Sequence, residues 1–145
     1  MPTRIKDIAS TAGTPNANDF IPLDGDSGGT RKMPLTDIRD TKGNLRTIPQ
    51  NAQTSAYTLV AADMGKHVAI TTGGVTVPQN VFSAGDAVTV YNNSASSQTI
   101  TQGTGVTMYL AGQATTGNRT LAQRGVATAL CVGSNTFIIS GAGLT

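Results

Sequence analysis

The sequence predicts a mainly β protein, with a compact β-sandwich or jelly-roll-like C-terminal domain and a small N-terminal docking arm that contains a hairpin. Three observations carry this. Charged residues are only 12 % of the chain and apolar ones 38 %, so Thr, Ser, Asn, Gln and Gly supply the polarity, a mixture that suits pleated strands with hydroxyls and amides on the solvent face. Short runs rich in Val, Ile, Thr and Tyr alternate in hydrophobicity and are separated by turn residues. The formal net charge is only +2, which, with so many branched side chains, sets the chain apart from disordered sequences.

The elements follow in chain order. Ile5 and Ile8 are spaced to share one face of a short helix or turn, and Thr11–Asn18, with Gly13 and Pro15, reads as loop. Asp19–Asp24 and Thr30–Leu35 are two β-like runs around the glycine-rich Gly25–Gly29, which predicts a hairpin. Pro22 and Pro34 restrict its strands to edge positions, because proline cannot donate to a ladder. Thr36-Asp37-Ile38 is expected to begin another helical turn. Beyond Ile48-Pro49, strands are expected at Tyr57–Val60, His67–Thr71, Val75–Val77, Ala87–Asn92, Gln98–Thr101, Val106–Leu110, Val126–Val132 and Thr136–Ser140. Turns are expected at Met64–Lys66, Gly73-Gly74, Ala84–Asp86, Asn92–Ser94 and Gly133–Asn135. The only helix-like piece between them is the turn Ala61–Met64. Val88 and Val90 share one strand face, and Val126, Thr128, Leu130 and Val132 share another.

Charge divides the chain in two. Thirteen of its eighteen Lys, Arg and Asp residues precede Thr47, which leaves only Asp63, Lys66, Asp86, Arg119 and Arg124 in the remainder. The boundary is therefore drawn between 1–46 and 47–145. A first segment so poor in apolar side chains cannot bury a sizeable core alone, and no disulfide staples it. Docking onto a neighbouring copy or a partner surface is the expected way to order it, the alternative being a flexible tail.

Several function classes are disfavoured. The pI near 8.9 arises from ten Lys/Arg against eight Asp with no Glu, no basic cluster forms a nucleic-acid footprint, and aromatics for base stacking are scarce. Cys131 is the single cysteine and His67 the single histidine, so neither a thiolate zinc site nor a two-His metal site is expected, and no cofactor is. A Cys131–His67 nucleophile pair lacks a supporting motif, and a buried thiol is the expected role of Cys131. Asp63 and Asp86 are the only carboxylates in the large domain, and their positions beside glycine turns make capping a sufficient role for both. Gly103-Thr104-Gly105 and Gly112–Gly117 lack the Lys-Ser/Thr and helix of a phosphate loop. No signal peptide and no membrane span is expected. Arg119 and Arg124 are expected in loops, facing either solvent or a partner subunit. Neutral strand edges lack the charge that normally guards them, which points to coverage by further copies.

Ser55–His67, together with Thr116–Ala122, Gly125–Leu130 and Phe137–Gly141, resembles a β domain common in structural proteins of tailed bacteriophages. Ile5–Ile8 and Asp19–Asp24 through Arg31-Lys32 look like the attachment segment of phage fibre and decoration proteins. The resemblance implies a non-enzymatic protein at the virion surface, with a short anchor on the particle, an outward β domain and a homotrimeric assembly. The expected partner is the major capsid protein or another virion protein. Expected docking residues are Ile5, Ile8, Phe20, Ile21 and Leu23 as apolar knobs, with Arg31, Lys32 and Arg39 pairing to acidic sites. The chain carries no collagen repeat, heptads or β-helical period from which to build a fibre shaft, which favours capsid decoration. The alternative is a short tail or head fibre that binds host polysaccharide through Tyr57, Tyr91 and Tyr109.

Overall fold

A computed structural model describes residues 47–145 throughout and, before them, the backbone of two strands, β1 (Phe20–Leu23) and β2 (Arg31–Pro34). The chain divides into two units, Met1–Arg46 and Thr47–Thr145. In the first, β1 and β2 pair antiparallel from Phe20↔Pro34 to Leu23↔Arg31, which is the hairpin the sequence predicts. A two-stranded ribbon has only edges, so it tolerates both prolines. The expected turns at Ile5–Ile8 and Thr36–Ile38 lie outside the described residues.

The second unit is mainly β. It contains β3 (Gln50–Gln53), β4 (Tyr57–Thr58), β5 (His67–Ile70), β6 (Val75–Val77), β7 (Ala87–Asn92), β8 (Gln98–Gln102), β9 (Thr107–Leu110), β10 (Arg119–Gly133) and β11 (Thr136–Leu144), with a single 3₁₀ turn at Ala61–Asp63. All eight strands expected in this unit form. One was missed: β3, whose Gln-Asn-Ala-Gln sequence carries no hydrophobic alternation. The last two strands run longer than expected, so Arg119 and Arg124 belong to β10 and not to a loop.

The connectivity rests on three successive strand–bend–strand segments stacked in parallel. Gln50 of β3 lies beside His67 of β5, which lies beside Thr89 of β7. After the bend, Tyr57 of β4 lies beside Val75 of β6, which lies beside Ile100 of β8. The coils advance by unequal numbers of residues, and for that reason no fixed period is visible in the sequence. β10 then runs antiparallel along both arms of the last coil, pairing with β8 at Arg119–Leu121 and with β7 at Val126–Leu130. β11 returns along the other edge of β10, and β9 adds to β11 in parallel. The order β3-β5-β7-β10-β8-β6-β4 brings the sheet round to the consecutive strands β3 and β4, so it is nearly closed.

Each coil therefore contributes to two walls of one folded sheet. Val68, Ile70, Val88 and Val90 from the first wall share a single core with Val75, Val77, Ile100 and Leu121 from the second. Phe82 and Phe137 meet edge to face at 6.1 Å, and Met108 and Ile139 are fully buried beside them. Apart from that aromatic pair the core is mainly aliphatic, and its strands switch walls at bends and at a bulge between Leu121 and Val126 of β10. Arg124, at φ 59°, sits in that bulge. Opposite Ala127, Gly141 admits no side chain, because a Cβ there would overlap the Val126 carbonyl and crowd the Ala127 Cα. Val126, Thr128, Leu130 and Val132 do share a face, but Ala127, Ala129 and Cys131 between them are the residues that enter the core.

Candidate functional site

The ionisable and amide side chains of the second unit are used to hold its corners. Asp63 is buried at the end of the 3₁₀ turn. Its Oδ2 accepts from the Val60 backbone N–H and from the Tyr57 hydroxyl, both at 2.9 Å, and its Oδ1 accepts from the Asn51 amide at 2.7 Å. Gln53 in turn donates to Asn51 at 2.7 Å. Burial, followed by the hydrogen bond to the Asp63 carboxylate, holds the Tyr57 hydroxyl above its ordinary pKa. A carboxylate closed off from solvent, with three donors on its oxygens, is a tie between β3, β4 and the turn.

Asn92, also buried, performs the same task at the bend between β7 and β8. Its amide donates to the carbonyls of Ser96, Leu121 and Ala122, and its oxygen accepts from the Ser94 N–H and hydroxyl. Gln98 accepts from the Gly74 N–H and donates to the Thr71 carbonyl, and Gln102 accepts from the N–H groups of Met108 and Gly117. Corners leave backbone groups without ladder partners, and a neutral amide satisfies them at less desolvation cost than a charge.

The residues considered for catalysis do not assemble. Asp86 accepts from the Ser83 N–H at 2.8 Å, a turn cap separate from the Asp63 cluster. Cys131 points into the core, whereas His67 aligns across β7 with the outward-facing Thr128, so the two stand on opposite faces of the sheet. Among the described residues, no three His, Cys, Asp or Glu side chains come together as a metal site, and no helix is long and apolar enough to cross a membrane. Gly103–Gly105 and Gly112–Gly117 form turns next to β9, closed by bonds such as Val106 N–H to Gly103 O and Gln113 N–H to Leu110 O.

Arg119 donates to the carbonyls of Thr115 and Asn118, and Arg124 to the Asn93 side chain at 2.6 Å and the Tyr91 hydroxyl at 3.3 Å. The three tyrosines do not form one platform: Tyr57 is tied to Asp63, while Tyr91 and Tyr109 lie on β7 and β9, separated by β10 and β11.

Of the expected docking residues, Ile5, Ile8 and Arg39 lie outside the described residues. Phe20, Ile21 and Leu23 occupy β1, and Arg31 and Lys32 occupy β2, where Arg31 is opposite Leu23 and Lys32 opposite Pro22. Compared with known proteins, the chain matches no family model, no curated protein sequence and no solved structure.

Proposed function

We propose that this protein is a non-enzymatic structural component of a tailed-phage virion: a capsid decoration protein, homotrimeric at the virion surface, that docks through residues 1–46 on the major capsid protein or another virion protein and stabilises the shell. The observation that carries this reading is the partition of the chain. Thirteen of its eighteen charges lie in a first segment too poor in apolar residues to hold a core, while residues 47–145 own a complete one. A segment of that kind gains order by contact with a partner, and its mixture of Ile, Phe and Leu with Arg and Lys suits a surface with apolar pockets and acidic sites. The non-enzymatic part is supported by the carboxylates of the second unit, both committed to turns and corners. The test is deletion of residues 1–46. Binding to purified particles is expected to be abolished, with the remaining domain keeping its β circular dichroism and a cooperative melt. A truncated protein that still saturates capsids overturns the reading.

A further inference from the structure

The two walls of the folded sheet present different outer surfaces. On the wall built from β4, β6 and β8 with the start of β10, the outward positions are Thr58, Thr76, Thr99, Thr101 and Thr120. On the wall of β3, β5, β7, β10, β11 and β9, Tyr91, Val126, Leu130, Val132, Ile138 and Tyr109 stand outward instead. Val126, Leu130 and Val132 are 41 %, 40 % and 46 % exposed, on a strand where threonine would serve solvation better.

We propose that this apolar wall is where a second copy of the chain docks. Three features favour a copy of itself over solvent or a charged partner. Among the outward positions of its strands the only Asp, Lys or Arg is Arg124, in the bulge at one end of β10, so the middle of two such faces meets without desolvating a formal charge. The central polar pair, Thr89 and Thr128, already share a hydrogen bond at 3.1 Å, so burial leaves those hydroxyls satisfied. Charge appears only at the ends, with Arg124 at one and Lys66 and Asp86 at the other, which is the apolar centre and polar rim of a protein interface. Size agrees as well. Six strands spaced about 4.8 Å apart, each contributing roughly five residues at about 3.3 Å, give about 450–500 Å² of plane per copy. Two faces then approach about 1,000 Å², the lower bound for a specific interface. Association is therefore expected to be reversible and concentration-dependent.

This inference rests on the self-association in the proposed function but commits to a pair where that reading has a trimer, and it needs no particle to test it. Sedimentation of the full chain is expected to give a dimer mass that falls on dilution, because a face that meets its own copy closes as a pair. Leu130→Asp and Val132→Lys are each expected to weaken association by about a hundredfold or more, because each introduces a charge on the face that the second copy covers. Both positions are exposed in one copy, so either variant is expected to keep its melting temperature, and either one that folds reads the result. Thr99→Asp, on the threonine wall, is expected to keep the wild-type mass. A monomeric wild type overturns both this inference and the oligomeric reading, and a trimer overturns this face while leaving that reading standing. An oligomer that survives Leu130→Asp, or dissociates equally with Thr99→Asp, overturns this face alone. Particle binding, read separately, reports on the docking arm and is unaffected by either result.

Discussion

Tyr57 and Asp63 can be read from the physical chemistry of a single buried hydrogen bond. The hydroxyl donates to a carboxylate that has no contact with solvent, so removing it leaves Asp63 Oδ2 with only the Val60 N–H and deprives Asn51 of one acceptor. Tyr57→Phe is expected to cost about 1–2 kcal/mol at neutral pH, measured by thermal or urea unfolding. The same contact sets a pH dependence. Because burial and the carboxylate raise the Tyr57 pKa above its ordinary value of 10.0, the folded state holds this proton more tightly than the unfolded chain does. Its contribution is therefore complete below the unfolded value and is lost as pH rises through the folded one. Melts recorded between about pH 8 and 11 should show a decline for the wild type that is shallower in Tyr57→Phe. The sequence placed Asp63 in a turn cap, and its carboxylate does cap the Val60 N–H. That Asn51 and Tyr57 would converge on the same carboxylate could not be read, since the convergence depends on β3 and β4 being brought to the turn by their separate parallel partners.

At the scale of elements, the alternating strands were legible and the register was not. β7 alternates Val with Ala, Thr and Tyr, and its burial alternates with it, because one face of an isolated amphipathic strand announces its side. β10 is harder. Val126, Leu130 and Val132 suggest a core face by hydropathy, yet Ala127, Ala129 and Cys131 are the residues turned inward. Small side chains fit where β10 is flanked on both edges, by β7 and by β11, and the large neighbours Ile139 and Phe137 already fill the adjacent space. Gly141 belongs to the same close approach. Gly141→Ala is expected to destabilise the domain by about 1–3 kcal/mol, seen as a lower melting temperature, because the new methyl group meets the backbone of β10 and not a side chain that can rotate away. A melting temperature equal to the wild type would show that β11 can shift in register past the bulge. β3 escaped detection for a related reason: a strand of Gln, Asn and Ala is stabilised by its pairing with β5 and by the Asn51–Gln53 amide chain, neither of which is a local property.

For the whole molecule, the proposed role fixes a stoichiometry. A shell-wide decoration protein is expected in virions at a copy number comparable to the major capsid protein, as quantitative mass spectrometry of purified particles would measure. A count of a few or a few tens would place it at a tail or vertex and replace shell stabilisation with host attachment. Taken by itself, the sequence determined the mainly β class, the positions of most strands, the hairpin at Phe20–Pro34 and the sharp change in charge at Arg46. These are properties of composition and of periods two residues long, which operate within a few neighbours. Only the tertiary structure decided that three coils stack in parallel, that Asn92, Gln98, Gln102 and Asp63 bind the corners, and that one wall carries threonine outside while the other carries valine, leucine and tyrosine. Those outcomes depend on which strand lies beside which, and pairing across a sheet is set by the shared filling of one core from both walls, a quantity no local window of sequence contains.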